Sequence, residues 1–148
     1  MGRRNRTPKH ADRVIVAFDV GELQDAVKLA KQLQGLIRYA KIGSALFTAS
    51  GPLAVQRFKA LGFEVFLDLK FHDIPSTVEQ SCRAAAQLGV SLLTVHASGE
   101  PRMLEAAARG ARQGAAQRRL QRPRVLGVTV LTSVEPAQGT RLARRVVE

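Results

Sequence analysis

Apolar residues along the chain fall into short runs separated by longer stretches in which they recur every third or fourth position. The runs are Val14-Ile15-Val16-Ala17-Phe18, Tyr39-Ala40-Lys41-Ile42, Val65-Phe66-Leu67-Asp68-Leu69, Leu92-Leu93-Thr94-Val95 and Val125-Leu126-Gly127-Val128-Thr129-Val130. Each reads as a buried strand. The stretches between them, residues 23–33, 52–61, 76–88 and 102 to about 116, carry helical spacing. Local punctuation agrees. Pro52 suits a first helical turn, where its missing N–H costs nothing. Gly62 and Gly89 fall where helix C-caps are expected, and Ser76 with Glu79 three residues on has the capping-box pattern.

Strict alternation of strand and helix requires right-handed crossovers, which build a parallel sheet with helices outside it. The candidates are an open doubly wound sheet and a (β/α)8 barrel. No G-x-G-x-x-G follows the first strand and no G-x-x-x-x-G-K-[ST] occurs, so the usual phosphate loops of open sheets are missing. Polar residues instead sit at the C-terminal ends of successive strands: Asp19, Lys41, Asp68 and Lys70, His96 and Ser98, and Thr132. Barrel enzymes place their active sites at those positions.

Composition changes this picture little. A chain of 148 residues with 45% apolar content suits one domain, residues 14–148, behind a basic tail, residues 1–13, expected to be disordered. The tail's apolar neighbour, Val14 to Phe18, ends at Asp19 and is too short for a signal-peptide core or a membrane span. The single cysteine, Cys82, permits no intramolecular disulfide and no cysteine metal cluster; it reads as a small packing residue in a reducing cytoplasm. The net charge of +11 raises nucleic acid as a partner, but the excess lies in the tail and in Arg109, Arg112, Arg118, Arg119, Arg122 and Arg124. That segment lacks aromatic residues for stacking on bases, so a solvated face is the better reading.

The chemistry concentrates on the third strand. Asp68 and Lys70 are two apart, so a regular strand sends both side chains to one face. An exposed strand end would make them an ordinary surface pair, but here the flanks are Val65-Phe66-Leu67 and Ile74-Pro75. Charges in such apolar surroundings require opposite partners, and Lys41 and Asp73 are available. A Lys-Asp-Lys-Asp array is the resulting expectation.

The stretch Asp68-Leu69-Lys70-Phe71-His72-Asp73-Ile74-Pro75-Ser76-Thr77 resembles the signature of the orotidine 5′-phosphate decarboxylases, with Ser76 where many members have Asn. Further matches follow in order: Phe18-Asp19, Lys41-Ile42-Gly43, Val95-His96-Ala97-Ser98-Gly99 and Val128-Thr129-Val130-Leu131-Thr132-Ser133. The resemblance implies an α/β fold of the (β/α)8 TIM barrel family, here an incomplete barrel of about five βα units. It implies decarboxylation of orotidine 5′-phosphate without metal or cofactor. Asp19 and Lys41 would bind the ribose hydroxyls, Asp68 would face the substrate carboxylate, and Lys70 would donate the proton. Thr132 would contact the pyrimidine, while Asp73 and Thr77 would reach the partner's site across a homodimer. His72 and His96 then read as structural histidines.

A whole barrel takes about 250 residues, so the phosphate-binding later strands are missing from this chain and it is expected to be inactive or nearly so alone. Two other readings share the pattern. One is a related barrel decarboxylase or aldolase acting on a sugar phosphate with a divalent metal. The other is a non-catalytic remnant or dimerising module.

Overall fold

The computed structural model describes residues 11–134. The chain forms β1 (Ile15–Ala17), α1 (Leu23–Leu33), β2 (Tyr39–Gly43), α2 (Ser44–Ser50), α3 (Pro52–Ala60), β3 (Glu64–Phe71), α4 (Pro75–Gln87), β4 (Leu92–His96), α5 (Pro101–Gln117) and β5 (Arg124–Val128). The strands lie in the order β1-β2-β3-β4-β5, with β1 parallel to β2, β2 to β3, and β4 to β5. The alternation read from the sequence is therefore the observed one. The expected tail is described only at Ala11–Arg13, a 3-10 turn whose Ala11 is buried. Its first ten residues, and residues 135–148 at the end of the last expected βα unit, lie outside the described residues.

The strands do not all meet the expectation of burial. β2, β3 and β4 hold only buried and half-buried positions, but β1 and β5 are largely exposed, with Val14, Ile15 and Leu126 open to solvent. Both stand at the ends of the strand order and have a neighbour on one side alone. Apolar runs report strand propensity, not the presence of a covering neighbour.

The described residues divide into two compact units. The first holds the residues up to Asp68 together with Leu88–Ser91; the second holds Leu69–Gln87 together with the residues from Leu92 onward. In the first unit Phe18, Phe58 and Phe63 form a buried ring cluster, with Phe18 and Phe58 edge to face at 4.6 Å. Helix α3 begins with Pro52 at its first position and ends in a Schellman turn. There the Phe63 N–H bonds the Phe58 carbonyl and the Gly62 N–H bonds that of Lys59, with Gly62 at φ 88° supplying the left-handed residue.

In the second unit α4 and α5 pack through small residues. Gly110 and Gly114 face α4 so closely that a Cβ on them would come within 2.1 Å of the Glu79 carbonyl oxygen and 2.2 Å of that of Arg83. Glu79 links α4 to α5 by bonding Arg109 and also bonds Arg83 on its own helix. Cys82 is fully buried on α4, as expected of a packing residue, and burial pushes its thiol up to about 12. The capping expectation at Ser76 is corrected: α4 starts one residue earlier, at Pro75, and the amides of Thr77 and Val78 bond the Ile74 carbonyl. A proline at the first helical position moves the cap back by one or two residues.

Candidate active site

In the first unit three charged residues named from the sequence come together. β1 and β2 pair Ala17 with Lys41, which carries Asp19 two residues onward toward the same strand ends. β2 and β3 pair Gly43 with Asp68. The Lys41 Nζ lies 3.3 Å from Asp19 Oδ1 and 3.5 Å from Asp68 Oδ2, with side-chain exposures of 22%, 66% and 12% respectively. One ammonium is thus shared by two carboxylates, one wet and one nearly buried. A buried carboxylate is tolerable only with such a partner.

Gly43 belongs to this cluster, a role the sequence reading did not give it. A Cβ there would stand 3.1 Å from Asp19 Oδ1 and 3.5 Å from Lys41 Nζ. The absent side chain leaves room beside the ion pair. The signal was available in Lys41-Ile42-Gly43, a glycine ending a strand next to a charged residue.

The second unit holds the other named residues. Lys70 remains in β3 but has a φ of 51°, the left-handed region that costs a non-glycine residue roughly 1–2 kcal/mol. Strand alternation presumes extended backbone, from which Lys70 departs. The Lys70 amide donates to Oγ1 of Thr94 at 2.9 Å, and Thr94 is 2% exposed on β4. Thr94 was not singled out from the sequence, although a hydroxyl inside Leu92-Leu93-Thr94-Val95 was a visible anomaly.

Asp73 and Thr77 are exposed, Asp73 in the loop before α4 and Thr77 in its first turn. Asp73 Oδ1 accepts the Ile74 amide at 2.6 Å, which orients the carboxylate. A cleft of about 290 Å³ is lined there by His72, Asp73, Ile74, Pro75, Glu100 and Met103. Thr132 is exposed in the turn after β5, where the Val134 amide bonds the Leu131 carbonyl. His96 lies with its ring 5.4 Å from that of His72. Burial, then the neighbouring His72 and Lys70 charges, hold its imidazole below the ordinary value. Among the described residues no group of three or more His, Cys, Asp or Glu could hold a metal ion, and no helix is long and apolar enough to cross a membrane.

Residues 12–147 match the profile described as "Orotidine 5'-phosphate decarboxylase / HUMPS family". The chain is 50% identical over 125 residues to the orotidine 5′-phosphate decarboxylase of Parasynechococcus marenigrum, covering 84% of this chain and 50% of that protein. It is 44% identical over 127 residues to that of a Nostoc species, covering 86% of this chain and 53% of the relative. The crystal structure of orotidine 5′-phosphate decarboxylase from Lactobacillus acidophilus superposes with a TM-score of 0.75 at 32% identity, covering 90% of this chain and 66% of that one. The chain spans about half the length of the curated relatives it matches. Its five parallel strands with intervening helices are the α/β arrangement of the TIM barrel seen in those neighbours. On a match that runs through nearly all of its residues, the chain belongs to the orotidine 5′-phosphate decarboxylase / HUMPS family.

Proposed function

We propose that this chain carries the charged half of a catalytic site that converts orotidine 5′-phosphate to uridine 5′-phosphate in pyrimidine biosynthesis. The observation that carries the reading is the Lys41 ammonium set between Asp19 and the nearly buried Asp68, with Lys70 two residues further along the same strand. Expelling carbon dioxide leaves negative charge on a ring carbon that no cofactor delocalises. Stabilising it requires positive charge fixed in place beforehand, because a site that need not reorganise during the reaction stabilises charge most.

In this reading Asp68 faces the substrate carboxylate, and Lys70 stabilises the carbanion as an ammonium and then protonates it. Asp19 and Lys41 hold the ribose hydroxyls, and Thr132 contacts the pyrimidine. Asp73 completes the array, and with Thr77 it serves the site of a second copy in a cytoplasmic homodimer. Their exposure beside the open Ile74 side chain, 64% exposed, suits groups offered to another protomer.

The 148 residues by themselves lack the part of the relatives in which remote phosphate contacts would be made. Such contacts supply binding energy used at the reacting centre, so their loss lowers turnover and not affinity alone. The test is release of labelled carbon dioxide from carboxyl-labelled orotidine 5′-phosphate at high protein concentration. Weak release that chelator does not change and that Lys70→Ala abolishes is the expected result. Release indifferent to Lys70→Ala overturns the decarboxylase reading, whereas absence of release is the limit that the loss of phosphate contacts allows. Chelator-sensitive release points to the metal-dependent reading instead, and turnover at the level of the full-length relatives overturns the expected need for the remaining half.

A further inference from the structure

Among the described residues, Lys70 is the one assigned to chemistry whose φ is positive. A strand residue is extended and gives its N–H to a carbonyl of the next strand. Lys70 is left-handed, at φ 51°, and its N–H goes to a side-chain hydroxyl, Thr94 Oγ1, at 2.9 Å. Strain of this kind persists only where the surroundings hold it, and the holding group is identifiable here.

We propose that Thr94 is a positioning residue for Lys70: its hydroxyl fixes the left-handed backbone that aims the Lys70 ammonium. Three features make it suited to that role. The hydroxyl is buried, Thr94 being 2% exposed, so solvent does not readily take over as acceptor. The residue sits in mid-strand, and parallel pairing of Thr94 with Leu126 fixes its backbone in register. Threonine is β-branched, so its χ1 is stiff and the oxygen has little freedom to swing away. Turning φ from extended to left-handed redirects the Cα–Cβ bond, and the long lysine side chain carries that change to its far end. The hydroxyl therefore acts on the nitrogen through the backbone it holds.

The inference rests on the decarboxylase reading for its catalytic meaning, but its structural content is testable without turnover. Amide exchange and the Cα and Cβ chemical shifts of Lys70 report its hydrogen bond and its φ in the 148-residue chain. Thr94→Val keeps the shape and removes the acceptor. It is expected to speed exchange at Lys70 about tenfold or more and to move its shifts toward extended backbone, while Thr94→Ser stays within about twofold of the wild type. In the carbon dioxide assay Thr94→Val should lower kcat about tenfold with KM changed less than about twofold, and Thr94→Ser should restore it.

A folded Thr94→Val chain with unchanged Lys70 exchange and shifts overturns the inference, as does an unchanged kcat. If Thr94→Val does not fold, the wild-type chain decides: a freely exchanging Lys70 amide or extended-type shifts overturn it, and a protected, left-handed Lys70 together with rescue by Thr94→Ser supports it. Carbon dioxide release indifferent to Lys70→Ala while the exchange results hold supports the positioning and counts against the decarboxylase reading alone.

Discussion

The two units solve the packing of helices around strands with opposite materials. The first fills its interior with aromatic rings, Phe18, Phe58 and Phe63, whose edge-to-face contacts add to the area they bury. The second brings α4 and α5 together over Gly110, Gly114, Ala106, Ala107 and Ala111, where helix backbone approaches helix backbone. A ring core is vulnerable to removal of atoms, because the cavity left behind does not fully collapse. A glycine seam is vulnerable to addition, because there is no space to give. The polar parts differ in the same way. At the residues named for chemistry, side-chain charges meet one another in the first unit, whereas in the second a side-chain hydroxyl meets a strained backbone.

The largest expected effect breaks the first kind of packing. Phe58→Ala should cost about 3–5 kcal/mol in urea unfolding, since a fully buried ring is lost together with its partners Phe18 and Phe63. A loss below about 1 kcal/mol would show that the ring cluster does not hold the first unit together.

The next effect inverts a familiar sign. Glycine to alanine inside a helix ordinarily stabilises by up to about 1 kcal/mol. Gly110→Ala should instead destabilise by about 1–3 kcal/mol, because its Cβ would meet the Glu79 backbone. The buried, high-pKa Cys82 thiol supplies the readout: it is inert toward a disulfide reagent while α4 is seated and reacts when the seam opens. Equal or slower thiol reaction in Gly110→Ala would refute the seam.

The smallest effect is a pH dependence. The His96 imidazole is held below its ordinary value of about 6.5 by burial and by His72 and Lys70, so the unfolded chain takes up its proton first as pH falls. Its contribution is therefore neutral above about pH 6.5 and becomes progressively destabilising below it. His96→Gln should flatten the fall in urea midpoint between about pH 7.5 and 5.5 relative to the wild type. An identical slope in both proteins would remove His96 from the account.

Much of the fold was legible because the apolar period switches cleanly between strand and helix. Residues 23–33 were read as a helix and α1 occupies Leu23–Leu33. What was missed is short. Helix α2 has seven residues and lies between Gly43 and Gly51, too brief for periodicity to declare itself. The site was legible in part. Charged residues inside apolar runs singled out Lys41, Asp68 and Lys70, but nothing local said that Lys41 would be shared by Asp19 and Asp68. That follows from the strand register, which pairs residues more than twenty positions apart.

The sequence by itself determined the Asp68, Lys70 and Asp73 spacing, the order of strands and helices, and the family to which the chain belongs. Those follow from residue identity and from periods of two and 3.6, which are properties of neighbours in the chain. Only the tertiary structure decided which carboxylates share the Lys41 ammonium, that Gly43 leaves room beside them, and that Lys70 turns left-handed onto the Thr94 hydroxyl. The physical reason is that a strained φ or a shared ion pair is stable only when distant residues hold it. Such residues become neighbours only through the fold.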